Sequence, residues 1–170
     1  MMIEAGRGGK PEDRNMDVQK AQISDVDALV DLRIRYLTED LGRLENRDAE
    51  EIAEKLPEYF RAHLGKDLVC YLIREREEIV SCAFLLIVEK PMSPAFINGK
   101  TGTVLNVYTR PAYRHRGYAG MIMKELISDA RKMDLCTIEL KATDEGYSLY
   151  RAAGFEDDVS KYHPMKWKNQ

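Results

Sequence analysis

The chain has 170 residues, 44% of them hydrophobic, with 26 basic against 29 acidic side chains and a formal net charge of -3. That length allows one domain with a real core rather than two. The balance of charge argues against a dedicated nucleic-acid binder, and no apolar run reaches the roughly 18 residues a membrane span needs. The first fifteen residues are polar and glycine-bearing, without the apolar stretch of a secretory signal, and read as a flexible extension. A single domain is expected over 16–170, in the cytoplasm.

In chain order, Asp17 to Gln22 reads as a short first strand. Ser24 stands where a helix N-cap is expected, with Asp27 three residues on. Val26, Leu29, Val30, Leu37 and Leu41 then recur at helical spacing, and only Arg33 interrupts the apolar stripe. A second helix is expected over Arg47–Leu64, broken or kinked by Pro57, which lacks an amide donor, and stopped at Gly65. Leu68–Arg74 and Ile79–Glu89 read as two strands around the turn Glu75-Arg76-Glu77. Pro91 and Pro94 open a loop that ends in the turn signal Asn98-Gly99. Thr101–Thr109 is a further strand, ended by Pro111. A helix over Arg116–Met133 places Met123, Ile127 and Ala130 on one face beside Ile122, Leu126 and Met133. Cys136–Lys141 is a strand, Glu145–Ala153 a short helix stopped by Gly154, and Tyr162–Lys168 a last strand. Hairpins followed by strand–helix–strand imply a mixed α/β sheet with helices on both faces.

Three cysteines, Cys70, Cys82 and Cys136, lie in apolar stretches without a CxxC and read as buried inert thiols. His63, His115 and His163 lack metal-ligand spacing, so no metal is expected. The chemistry concentrates elsewhere, in the segment from Val107 to Gly120, which passes from a strand end into a helix start. The first amides of a helix have no internal acceptors and carry a partial positive charge of roughly +0.5. An anion with several oxygens is bound there by several N–H groups at once. Gly117 lets backbone approach a phosphate closely, Ala119 and Gly120 keep the next turn small, and Arg114 and Arg116 add charge. A Walker-type loop is ruled out, because G-x-x-x-x-G-K-[ST] does not occur. Arg110, Arg114 and Arg116 as an RNA patch lack stacking aromatics of a known RNA motif.

Arg114-x-x-Gly117-x-Ala119 resembles the R/Q-x-x-G-x-G/A signature of the GNAT superfamily of N-acetyltransferases. The lead-in Val107-Tyr108-Thr109-x-Pro111-x-x-Arg114 is similar to the strand before that signature, and Leu149-Tyr150-Arg151-Ala152-Ala153-Gly154-Phe155 to its L-Y-x-x-x-G-F block. The resemblance covers nearly all of Met16 to Lys168 and implies a mostly antiparallel sheet with a splayed strand pair. It implies that acetyl-CoA is bound by Arg114, His115, Arg116, Gly117, Tyr118, Ala119 and Gly120 at the pyrophosphate, and by Val107, Tyr108 and Thr109 along the pantetheine arm. Thr143 stands where the family often has an asparagine and keeps a hydroxyl for hydrogen bonding. Tyr150 is implied beside the coenzyme sulfur, as the proton donor to the leaving thiolate.

The activity so implied is transfer of an acetyl group to a primary amine by direct attack in a ternary complex. The alternative is a non-catalytic acyl-CoA-binding sensor or interaction module. No general base is assigned: Asn106 stands where some relatives carry a carboxylate, and Glu139 and Tyr108 read as structural. The acceptor is open, with contacts expected from the first two helices, where Glu39, Asp40 and Glu45 would attract a cation. The oligomeric state is open too, a homodimer among the options.

Overall fold

The computed structural model describes residues 16–169, so the expected N-terminal extension lies outside the described residues. Five strands form one sheet in the order β1-β2-β3-β4-β5: β1 (Gln19–Lys20), β2 (Leu68–Glu75), β3 (Glu78–Glu89), β4 (Lys100–Thr109) and β5 (Thr137–Glu139). The first four are antiparallel in sequence, and β5 lies parallel to β4. Among the described residues four α-helices accompany them: α1 (Val26–Asp40), α2 (Asn46–His63), α3 (Tyr118–Lys132) and α4 (Asp144–Ala152).

Strand alternation divides the core into two layers, since neighbouring residues point to opposite faces. Cys70, Leu72, Cys82, Phe84 and Tyr108 pack against Leu29, Leu32 and Phe60 from α1 and α2. Tyr71, Ile73, Ala83, Leu85 and Val104 pack against Ile122, Met123 and Leu126 of α3 and Tyr150 of α4. The expected mixed sheet with helices on both faces is therefore present. The hairpin between β2 and β3 needs only Arg76 and Glu77, with Arg76 left-handed at φ 56°.

Several boundaries differ from the sequence reading. The first strand shortens to Gln19–Lys20, although the Ala21 amide still donates to the Cys70 carbonyl at 2.8 Å. Ser24 does not cap α1. It lies inside a single 3₁₀ turn, Ile23–Asp25, where the Asp25 carboxylate accepts from the Gln22 amide at 2.9 Å. Helix α2 runs unbroken through Pro57. One missing amide bond is tolerated because Leu56 and Phe60 hold the surrounding turns on the core. Cys136 is exposed, its thiol 2.8 Å from Asn98 Oδ1, because the strand expected from Cys136 begins only at Thr137 and ends at Glu139. Tyr162–Lys168 forms no strand: Val159, Tyr162, Met165 and Trp167 are 93%, 73%, 95% and 82% exposed. A strand needs a ladder partner, and no pairing is made to this segment among the described residues.

Candidate acyl-coenzyme site

The site begins with a defect in β4. Phe84 pairs with Leu105 and Cys82 with Tyr108, so Ala83 alone stands opposite both Asn106 and Val107. This two-against-one count is a β-bulge. Asn106 takes the strain, with φ 53° in the left-handed region that asparagine tolerates better than most residues. The buried residue is held between two partners. Oδ1 accepts from the Arg33 guanidinium at 3.2 Å, Nδ2 points to Cys82 Sγ at 3.5 Å, and the Cys82 thiol faces the Asn106 carbonyl at 3.8 Å. Arg33, the single interruption in the apolar stripe of α1, thus anchors the bulge. Its charge in an otherwise apolar row was the signal in the sequence, but its partner was not.

Beyond the bulge the main chain is directed by alternation. Arg110 N donates to Val80 O at 2.9 Å and Tyr108 lies opposite Cys82. In an antiparallel ladder alternate residues bond to opposite sides, so Val107 and Thr109 turn their main-chain groups away from β3, toward the β5 side. There β5 has already left: it pairs with β4 only from Thr101 to Thr103. The gap between diverging β4 and β5 faces the main-chain groups of Val107 and Thr109, two of the three positions the resemblance singled out, with the Thr109 carbonyl already accepting from Arg114 Nε. Tyr108 pairs with Cys82 on β3 instead.

The chain then tightens through a 3₁₀ turn, Pro111–Tyr113, into α3. His115 and Gly117 are both left-handed, at φ 61° and 81°. Reversal of handedness at alternate positions turns successive amides toward one side. The N–H groups of residues 115 to 120 have no protein acceptor among the described residues. Gly120 leaves the first turn of α3 open beside Leu149, whose Cδ1 would lie 3.7 Å from an added Cβ. A row of unpaired amides at a helix start fits a polyanion.

The side chains around this row have separate partners. Arg114 is bound to the Glu39 carboxylate at the end of α1. Its Nε donates to Thr109 O at 2.9 Å, and its guanidinium lies 5.7 Å above the Tyr108 ring. Arg116 turns back to Glu75 at 3.0 Å and to Ala112 O at 3.2 Å. Tyr118 is buried and hydrogen-bonded to Glu75, so only its backbone faces the turn. His115 is exposed and Ala119 half-buried. Thr143 caps α4, its Oγ1 accepting from the Gly146 amide at 3.2 Å, which leaves its hydroxyl proton for another acceptor.

Tyr108 sends its side chain to the α1 face, where its hydroxyl donates to Glu39 at 2.6 Å. Burial and the adjacent carboxylate push the Tyr108 phenol up to about 12. Burial would raise the Glu39 carboxyl, but hydrogen bonds from Tyr108 and Arg114 outweigh it and hold the group below the usual range. Tyr150, on α4, stacks edge-on against Phe155 at 6.1 Å, and burial, then the neighbouring Tyr36, raise its phenol. Burial also pushes the Cys82 thiol up to about 12, so it is no nucleophile at neutral pH. Among the described residues no three His, Cys, Asp or Glu side chains group as a metal site, and no helix is long and apolar enough to cross a membrane.

The layered sheet, the bulge and the amide row converge on one family. Residues 27–155 match the Acetyltransferase (GNAT) family, and the chain belongs to it. The structure is similar to a predicted acetyltransferase with acetyl-CoA from Clostridium acetobutylicum, at 28% identity and a TM-score of 0.77 over 89% of this chain and 96% of that one. It shares its fold with glucosamine-6-phosphate N-acetyltransferase from Arabidopsis thaliana, at 18% identity and a TM-score of 0.66 over 89% and 99% of the two chains. An uncharacterized N-acetyltransferase of Porphyra purpurea, ycf52, is 31% identical over 70 residues, a stretch that covers 41% of this chain and 40% of that relative.

Proposed function

We propose that this protein transfers the acetyl group of acetyl-CoA to a primary amine by direct attack within a ternary complex. The observation that carries the reading is the row of unpaired amides from residue 115 to 120, set beside the gap between β4 and β5. The amide row suits the pyrophosphate, with Arg114 adding positive charge at its entrance. Val107 and Thr109 would offer main-chain groups to the pantetheine arm, and the Thr143 hydroxyl, which caps α4 through its oxygen, would donate to the coenzyme. Likeness to the Clostridium acetobutylicum protein, which is described with acetyl-CoA, supports the choice of donor.

In the reaction the amine nitrogen forms a bond to the thioester carbonyl carbon, and the carbon–sulfur bond breaks. Holding both reactants in one geometry supplies much of the barrier lowering. Main-chain donors at the bulge would stabilise the oxyanion. Tyr150, a phenol whose proton is retained by burial, would protonate the departing thiolate. The amine loses its proton to water.

Free thiol release from acetyl-CoA tests this with a panel of amines: spermidine, a lysine-bearing peptide and glucosamine 6-phosphate. Release that depends on the amine is the expected result. Tight coenzyme binding with no release on any acceptor would replace the reading with a non-catalytic acyl-CoA-binding module.

A further inference from the structure

Helix α1 presents Arg33, Tyr36 and Glu39 at three-residue spacing, which keeps them neighbours on the helix surface. The stripe follows β4. Arg33 reaches Asn106 at the bulge, its guanidinium lies 5.6 Å from the Tyr36 ring, and Glu39 meets the Tyr108 hydroxyl farther along the strand. The Glu39 carboxylate is shared between that hydroxyl and the Arg114 guanidinium. It therefore joins the α1 side of β4 to the turn that leads into α3.

Resting on the coenzyme site proposed above, we propose that Glu39 is a positioning residue whose carboxylate is handed from Arg114 to the ammonium of the acceptor. The Arg114 NH2 group bound to Glu39 cannot also serve a phosphate with the same donor. A pyrophosphate at the amide row is the more highly charged rival and draws the guanidinium away. Glu39 is then left on the α1 side, still oriented by Tyr108, having lost its bonded cation and keeping only Arg35, one turn back on α1, as a positive neighbour. A cationic amine approaching between α1 and β4 supplies the missing charge. The acceptor is held as its ammonium, loses a proton to water and then attacks. Coenzyme binding thus prepares the acceptor site, and the class of acceptor selected is a cationic amine.

The test compares the wild type with Glu39→Gln, which keeps a partner for Tyr108 but removes the charge. Calorimetric titration with coenzyme A is expected to show binding about fivefold tighter in the variant, because a rival for Arg114 is gone. A merely structural role for Glu39 predicts equal or weaker binding, and either result overturns the handover. At saturating acetyl-CoA, KM for each amine the wild type acetylates is expected to rise about tenfold with kcat nearly retained. An unchanged KM overturns the acceptor role. A wild type that binds coenzyme A but acetylates no amine refutes acetyl transfer and the acceptor role of Glu39 with it, while the titration still decides whether coenzyme A competes with Glu39 for Arg114. A wild type that does not bind coenzyme A refutes the coenzyme site and the handover with it. Glu39→Asp, too short to span both partners yet still charged, serves if the glutamine variant misfolds: it is expected to bind coenzyme A more tightly too, and equal or weaker binding overturns the handover.

Discussion

Tyr150 reaches the α3 layer from α4, and Gly146 sits under its ring. A Cβ at Gly146 would lie 2.9 Å from Tyr150 Cε2. The ring is thus fixed from below by a residue without a side chain and from the edge by Phe155. A phenol so placed changes its chemistry with the loss of one oxygen and little else. Tyr150→Phe is expected to lower kcat about 10²-fold while leaving the coenzyme Kd nearly unchanged. Turnover equal to the wild type on a good acceptor would remove the residue from proton transfer. At the same scale Arg114 and Arg116 differ, although both flank His115. Arg116 is braced against Glu75 and the Tyr113 ring, away from the amide row, whereas Arg114 spans β4 and α1.

Among the elements, the meeting of β4 with β5 decides the width of the slot. Gly102 lies in that short parallel contact, opposite Ile138. A Cβ there would fall 2.8 Å from Leu85 Cδ1 and 3.1 Å from Leu135 Cδ1, and Leu85 is fully buried. Gly102→Val is expected to cost about 1–3 kcal/mol by overpacking. An unshifted urea midpoint would show that the layers yield instead. The helices and long strands of this frame are legible in the sequence, because each carries a sustained period of 3.6 or 2. The turn at Arg114–Gly120 is legible for a similar reason, as local chemistry written in consecutive residues. The bulge is not legible, since it exists only as a mismatch in register between β3 and β4. Nor is the bond from Glu39 to Arg114, which joins residues 75 positions apart. Pro57 misleads because local propensity there is overridden by packing, and Tyr162–Lys168 because apolar and aromatic residues without a neighbouring edge do not make a strand.

Across the whole molecule, Asp129 ties the outer elements together. From α3 it reaches Lys20 on β1 at 2.6 Å and Lys132 at 3.1 Å, and it accepts from the Tyr71 hydroxyl of β2 at 3.2 Å. Burial would raise its carboxyl, but the two lysines and the tyrosine outweigh it and hold the group below its usual range. A depressed folded value gives stability that is present above the unfolded value of about 3.9 and lost as pH falls through the folded one. Asp129→Asn is therefore expected to lower stability by about 1–3 kcal/mol at pH 7, with the gap closing below about pH 4. Urea titrations at both pH values measure it, and a gap that stays constant would exclude the carboxylate as its source. The tail beyond α4 stands outside this network. It carries the chain's single tryptophan, Trp167, in water. The intrinsic fluorophore therefore reports on the tail and not on the core. Its emission stays red-shifted while the sheet unfolds beneath it, and a shift to the blue signals that the tail has found a surface, whether of this molecule or of another.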